Sequence, residues 1–186
     1  MKSPDERCMI VHFEEPRNLS QDELNSIFRL IAEGGQVNIQ TVQSRLLDSA
    51  LIGFVVVDDK VVACAAVKKP TDSRADSVFQ KAHSNYEYED FQFELGYLVV
   101  ATPFRHMGFA SLLISGLCRR FQSHNLYATV RVDNYPAQSI VISNGFEQSG
   151  EVFRNRTNTE DLRLFIRIGT PNPNHDDPND KQRKCH

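Results

Sequence analysis

The stretch from Phe91 to Asp133 constrains the fold most. An extended run, "FQFELGYLVVA", passes through "TPFRHMG" into a helical pattern, "FASLLISGLCRRF", and "LYATVRVD" follows as another extended run. Upstream, "LIGFVVV" and "VVACAAV" meet across Asp58-Asp59-Lys60, which reads as a hairpin. Strands separated by a helix, after strands joined by a hairpin, imply a mixed sheet with helices packed on it.

The remaining segments fit that frame. "MIVHF" suits a first strand, and "SQDELNSIFRLIAEGG" reads as a helix with Ser20 as N-cap, Glu23 completing a capping box and Gly34-Gly35 as its stop. Leu24, Ile27, Phe28 and Ile31 form its apolar stripe. "IQTVQSRLLDSA" is a weaker helical pattern, residues 70–90 read as a loop with a short helix, and "YPAQSIVISNGF" as a short helix stopped by Asn144-Gly145. "EQSGEVFR" and "LRLFIRIG" close the order as two strands. The expectation is an α/β (α+β) fold, a mixed, mostly antiparallel sheet of about seven strands flanked by helices, in one domain over residues 1–169. Residues 170–186, with three prolines and no aliphatic side chain, read as a disordered tail.

Charge and cysteine usage narrow the function. A net charge of −3 gives no general attraction to nucleic acid or to an anionic membrane, so neither is expected as a partner. The longest apolar run, "LIGFVVV", falls short of the ~20 residues of a membrane span, and the N-terminus lacks a signal-peptide core. Four scattered cysteines and six histidines show no metal-binding spacing, so no metal is expected and reduced thiols in the cytoplasm are.

The turn between the run ending at Ala101 and the following helix carries Arg105 and Gly108. The first amides of a helix lack intrahelical partners, and the helix dipole makes that end attractive to anions. A glycine there lets a phosphate approach the backbone, with Arg105 adding a formal charge. Arg-x-x-Gly alone leaves open a tight turn with a solvated arginine. One glycine does not make the three-glycine dinucleotide fingerprint, and no Gly-Lys-Ser/Thr follows.

"LVVATPFRHMGFASLL" resembles the central motif of the GNAT family of acyl-CoA-dependent N-acyltransferases, Arg/Gln-x-x-Gly-x-Gly/Ala, with Arg105, Gly108 and Ala110 at its defining positions. "DNYPAQSIVISNGF" is similar to the family's second motif through Asn134, Ala137, Gly145 and Phe146. The likeness spans roughly residues 8–169 in architecture and Glu94 to Phe146 in motifs.

This resemblance implies an N-acetyltransferase that moves the acetyl group of acetyl-CoA directly to a primary amine of a small molecule or protein, without a metal. It implies a pyrophosphate site at Arg105, His106, Met107, Gly108, Phe109, Ala110 and Ser111, and pantetheine paired with the backbone of Leu98, Val99 and Val100 on a bulged strand. A backbone N–H there would also face the thioester oxygen. Asn134 is expected at the cofactor as well. Glu94, four residues before Leu98, stands where the protein-acetylating branch has its general base. Its neighbours Phe91, Phe93, Leu95 and Tyr97 suggest an apolar setting that raises its pKa from about 4.3 toward neutrality. The alternative is a carboxylate paired with an arginine such as Arg131.

The family's usual acid, a tyrosine four residues after the alanine of the second motif, is replaced by Val141, with Tyr97, Tyr135 and Ser139 as conceivable substitutes. That departure keeps a second function in view, an acyl-CoA-binding module without turnover. A third, a toxin-like aminoacyl-tRNA acetyltransferase, is disfavoured by the acidic net charge. The run Tyr86-Glu87-Tyr88-Glu89-Asp90 reads either as a solvated loop or as a guide for a cationic amine, and a homodimer stays open.

Overall fold

The structure, a computed structural model, describes residues 8–34 and 39–170. The expected tail falls, apart from Thr170, outside the described residues. Seven strands form one sheet in the order β1-β2-β3-β4-β5-β7-β6. They are β1 (Met9–Glu14), β2 (Leu51–Val57), β3 (Lys60–Lys68), β4 (Phe93–Val100), β5 (Leu126–Arg131), β6 (Glu147–Arg154) and β7 (Asp161–Arg167). Five helices pack on it: α1 (Gln21–Glu33), α2 (Ile39–Leu47), α3 (Asp72–Lys81), α4 (Phe109–Arg120) and α5 (Tyr135–Ser143). Every neighbouring pair is antiparallel except β4 with β5, which α4 connects in parallel. The mixed, mostly antiparallel sheet is therefore the one the sequence implies.

Local chemistry sets the boundaries. Ser20 and Glu23 close the capping box at the start of α1. Asp58 and Asp59 both have positive φ, 47° and 61°, as a two-residue turn matched to strand twist requires.

The two faces of the sheet carry separate cores. On one, Val55, Ala63, Ala65, Leu126 and Ala128 pack against Leu113, Ile114 and Leu117 of α4. On the other, Ile52, Phe54, Cys64 and Ala66 pack against Ile27, Leu30 and Ile31 of α1 and Leu46 of α2. Farther along this second face, Ala75, Val78 and Phe79 of α3 and the following Ala82 pack against Tyr127, Phe153, Leu164 and Ile166. Helices α1 to α3 thus lie opposite α4. Among the described residues, no helix is long and apolar enough to cross a membrane.

Two irregularities shape the middle of the sheet. Ala66 pairs with Gly96 but Cys64 with Val99, so Tyr97 and Leu98 both stand against Ala65, and Tyr97 has φ of 53°. This β-bulge reverses the alternation: Phe93 and Leu95 face α4 before it, Leu98 and Val100 after it. The second irregularity is the brevity of the β4–β5 pairing, which consists of Phe93 with Leu126 and Glu94 with Tyr127. Beyond them the strands separate.

A third, at the edge, fixes α3. Strand β6 leaves its register on β7 between Ser149 and Phe153, and there Glu151 N donates to the carbonyl of Ala82 at 2.6 Å. Gly150 has φ of 68°, and a Cβ on it would run into that same carbonyl. Gly150→Ala should therefore cost about 2–4 kcal/mol, from left-handed strain plus overpacking against backbone. The midpoint of chemical denaturation measures this, and an unchanged midpoint would show that α3 is not held there.

Candidate active site

The parting of β4 and β5 opens a cleft of about 1040 Å³. Gly96, Tyr97 and Leu98 line one wall, residues 128–131 the other, and Ile114, Ala137 and Val141 of α4 and α5 close one end. Leu98, Val99 and Val100 are half-buried; Val99 and Val100 pair with Cys64 and Ala63 of β3, and none of the three has a partner on β5. Their outer edge faces the side where β5 has turned away.

Beyond β4, Thr102–Phe104 forms a single 3-10 turn and Gly108 adopts φ of 82° as the N-cap of α4. Among the described residues, no side chain caps that helix. The first bond across the cap is Leu112 N to the Gly108 carbonyl, which leaves the amides of Phe109, Ala110 and Ser111 without an intrahelical acceptor. A Cβ on Gly108 would meet nothing within 4 Å. The glycine therefore serves the left-handed backbone, not packing, and the space above the amides is open. Arg105 is exposed, and its Nε donates to the Val100 carbonyl at 3.3 Å, tying the turn to the end of β4. His106, with φ of 65°, and Met107 are also exposed.

Asn134 lines the cleft, but its Oδ1 accepts from Ala137 N at 3.2 Å and caps α5. Sequence reasoning missed the companion device, buried Gln138, whose Nε2 donates to the Arg131 and Val132 carbonyls, both at 2.9 Å. A polar residue on the inner face of a short helix was its available signal. Of the conceivable acids, Tyr97 lines the cleft, whereas Tyr135 and Ser139 are exposed and outside its lining; Val141 is buried and lines it.

Glu94 is 2% exposed, but its setting is ionic, not apolar. Lys68 Nζ lies 2.8 Å from Oε1, while Arg74 donates from Nε to Oε2 and from Nη2 to Oε1, both at 3.2 Å. Burial pushes the Glu94 carboxyl up, but the charges and hydrogen bonds of Lys68 and Arg74 outweigh it and bring the pKa down to about 2. The expected rise toward neutrality is therefore corrected. The alternative partner is corrected too, because Arg131 pairs with Asp133 and Glu160. Lys68 stands directly across the ladder from Glu94, a register that sequence alone did not supply, and Arg74 arrives on α3 from a segment with weak patterning. Tyr127 is fully buried, and its hydroxyl has no hydrogen-bond partner at bonding geometry among the described residues.

The thiols stand apart from this chemistry. Burial pushes Cys64 up to about 12 and raises Cys118 as well, so neither is poised as a nucleophile. Among the described residues, no group of histidine, cysteine and carboxylate side chains could hold a metal ion. The acidic run from Tyr86 to Asp90 lies outside the cleft lining, with Tyr86 edge-on to Phe91.

The linked equilibria give a sign. Because folding depresses the pKa of Glu94, its stabilising contribution is fully present above the ordinary value of 4.5 and is lost as pH falls toward about 2. Glu94→Gln strands two cations and should cost about 3–5 kcal/mol at neutral pH. Urea denaturation of both proteins between neutral pH and acid is the check, and equal stability at neutral pH would contradict the ionic setting.

The comparisons with known proteins give the family and the fold. Residues 21–146 match the model of the acetyltransferase (GNAT) family. Among solved structures, Escherichia coli ElaA is similar, with a TM-score of 0.64 at 15% identity, covering 86% of this chain and 99% of that one. The Escherichia coli ribosomal-protein-S18-alanine N-acetyltransferase gives a TM-score of 0.61 at 16% identity, with coverage of 89% and 99%. FeeM, an N-acyl amino acid synthase from uncultured soil microbes, gives 0.65 at 12% identity, with coverage of 87% and 91%. No curated protein matches the sequence.

Proposed function

We propose that the protein moves the acetyl group of acetyl-CoA directly to a primary amine, on the premise that the chain belongs to the acetyltransferase (GNAT) family. The observation that carries this reading is the continuity of one feature: β4 and β5 part, the bulged β4 leaves a backbone edge free, and that strand runs into an uncapped helix end. The residues fit an acyl-CoA. An open αL glycine and unpartnered amides suit a pyrophosphate. We assign its pyrophosphate to the backbone from Arg105 to Ser111, its pantetheine to Leu98, Val99 and Val100, and a neighbouring position to Asn134. Acetyl-CoA supplies an activated acyl carbon and a thiolate leaving group; the chain supplies position and charge.

An amine with a pKa of about 10.4 must first lose a proton. In its ion-paired form Glu94 is held well below the ordinary carboxylate range by Lys68 and Arg74, which makes it a weak base for that proton. Glu94 therefore accepts the proton only if acceptor binding draws Lys68 or Arg74 away from it. Otherwise the proton leaves through water in the cleft, and Glu94 acts by holding those two cations. The apolar Val141 at the cleft favours one further reading, an acyl-CoA-binding module without turnover. A thiolate with a pKa of about 8.5 can take its proton from water, so the missing hydroxyl does not by itself stop transfer.

The fold does not choose the acceptor, since its neighbours include an enzyme named for a ribosomal-protein alanine and another named for amino acids. The described cysteines are unpaired, which supports a reducing, cytoplasmic setting.

Acetyl-CoA at 100 times its dissociation constant should stabilise the protein by about 2.7 kcal/mol. Gly108→Ala separates a phosphate site from a mere turn: strain alone costs about 1–2 kcal/mol of stability, whereas a lost phosphate approach also weakens acetyl-CoA affinity about tenfold or more. Thermal shift and CoA-release assays read both quantities. Stabilisation without CoA release over a broad amine panel would favour the binding module, and no stabilisation would remove the donor assignment.

A further inference from the structure

The far side of the cleft is cationic in a protein whose net charge is −3. Arg45 of α2, Arg74 and Lys81 of α3, Arg131 of β5, and Arg154 and Arg156 at the β6–β7 end all line it, against a single lining carboxylate, Glu160. They come from distant parts of the chain, so the convergence is made by the fold. In α3 helical spacing does it: Arg74, Ser77, Val78 and Lys81 line the cleft, while Ala75 and Phe79 are buried outside its lining.

Ion pairing removes only part of this charge. Arg131 meets Asp133 and Glu160, Arg154 meets Asp161, and Glu94 answers one of the two cations that flank it. Among the described residues, Arg45, Lys81 and Arg156 meet no carboxylate at ion-pair distance. Arg45, Arg74 and Lys81 belong to helices on the face opposite α4, and the turn from Arg105 to Gly108 lies outside the cleft lining. These cations are therefore not the ones assigned to the donor's pyrophosphate.

We propose that the acceptor is a small amine carrying its own carboxylate or phosphate, drawn into this side of the cleft by Arg45, Lys81 and Arg156 and bound by those of them that its anionic group reaches. This inference rests on the acetyl-transfer reading above. A fixed positive field does two things for such a molecule. It binds the anionic group through charge-assisted hydrogen bonds, and it lowers the pKa of the nearby amine, which raises the fraction of neutral nucleophile. In the reaction the amine nitrogen bonds to the acyl carbon, the carbon–sulfur bond breaks toward sulfur, and the amine proton passes to water or to the departing thiolate. A cationic polyamine would be repelled at the same place. The acidic net charge of the whole protein disfavours a large polyanion, while the cations inside the cleft favour a small one.

The test uses the full chain with acetyl-CoA and amines paired so that only charge differs: glycine with glycinamide, glutamate with glutamine, and O-phosphoethanolamine with ethanolamine. Cadaverine and aminoacyl-tRNA complete the panel. CoA release gives kcat/KM, and calorimetric titration of each amine into CoA-saturated protein gives binding even where turnover is slow. The anionic member of at least one pair should win by about tenfold or more, and Lys81→Gln or Arg156→Gln should shrink that gap while leaving the acetyl-CoA thermal shift unchanged. Preference for the phosphate pair or for the carboxylate pairs identifies which anion is read. If acetyl-CoA stabilises the protein but neutral, cationic or tRNA acceptors bind or react as well as the anionic amines, the acceptor inference is overturned alone. If acetyl-CoA does not stabilise it, the transfer reading beneath it fails instead.

Discussion

Hydrogen bonding between β4 and β5 ends after two residue pairs, and the rest of the site follows from that interruption. Two parallel strands joined by a helix would ordinarily continue their ladder. Here the bulge at Tyr97 and Leu98 turns β4 out of register with β3 and re-aims its side chains, while β5 continues beside β7. The backbone beyond Gly96 is thereby left with one free edge, and a cleft replaces the missing ladder. The same strand then delivers the chain to Gly108, whose left-handed backbone starts α4 with its first amides unpartnered. Backbone groups that lack protein partners in this way are left to water or to a ligand with matching polar groups.

Electrostatics divides this cleft into two ends. One is framed by α4 and α5, with the helix terminus and Arg105 beside it. The other is framed by α2, α3 and the β6–β7 end, where side-chain cations outnumber carboxylates. Glu94 is buried and held by Lys68 and Arg74, and its charge keeps two part-buried cations in place. Gly150 belongs to the same construction at a distance, because its contact with Ala82 fixes the C-terminal end of the helix that carries Arg74 and Lys81.

Much of this was legible in the sequence because it is encoded locally. The capping box at Ser20, the Asp58-Asp59 turn and the glycine of the Arg105–Gly108 turn each declare themselves within a few residues. The element order and the mixed sheet followed from them. What stayed hidden is what register and tertiary packing create. Lys68 and Glu94 are 26 positions apart and become neighbours only through the β3–β4 ladder, so an aromatic flank in the sequence pointed to an apolar pocket where the fold builds an ion-pair cluster. The acidic run from Tyr86 to Asp90 was conspicuous as a string of letters but lies away from the cleft, whereas six cations scattered over more than a hundred residues converge on it. Asn134 shows a third kind of limit: its motif position was readable, but its duty as the cap of α5 required the hydrogen bond to be seen.

The donor cleft is the claim on which the rest stands, and amide hydrogen exchange with and without acetyl-CoA measures it residue by residue. Slower exchange at Leu98 to Val100 and at Phe109 to Ser111, with little change on β1 and β2, is the expected result. Binding of acetyl-CoA that leaves both of those segments exchanging as before would contradict a donor held between β4 and β5 with its pyrophosphate on the end of α4.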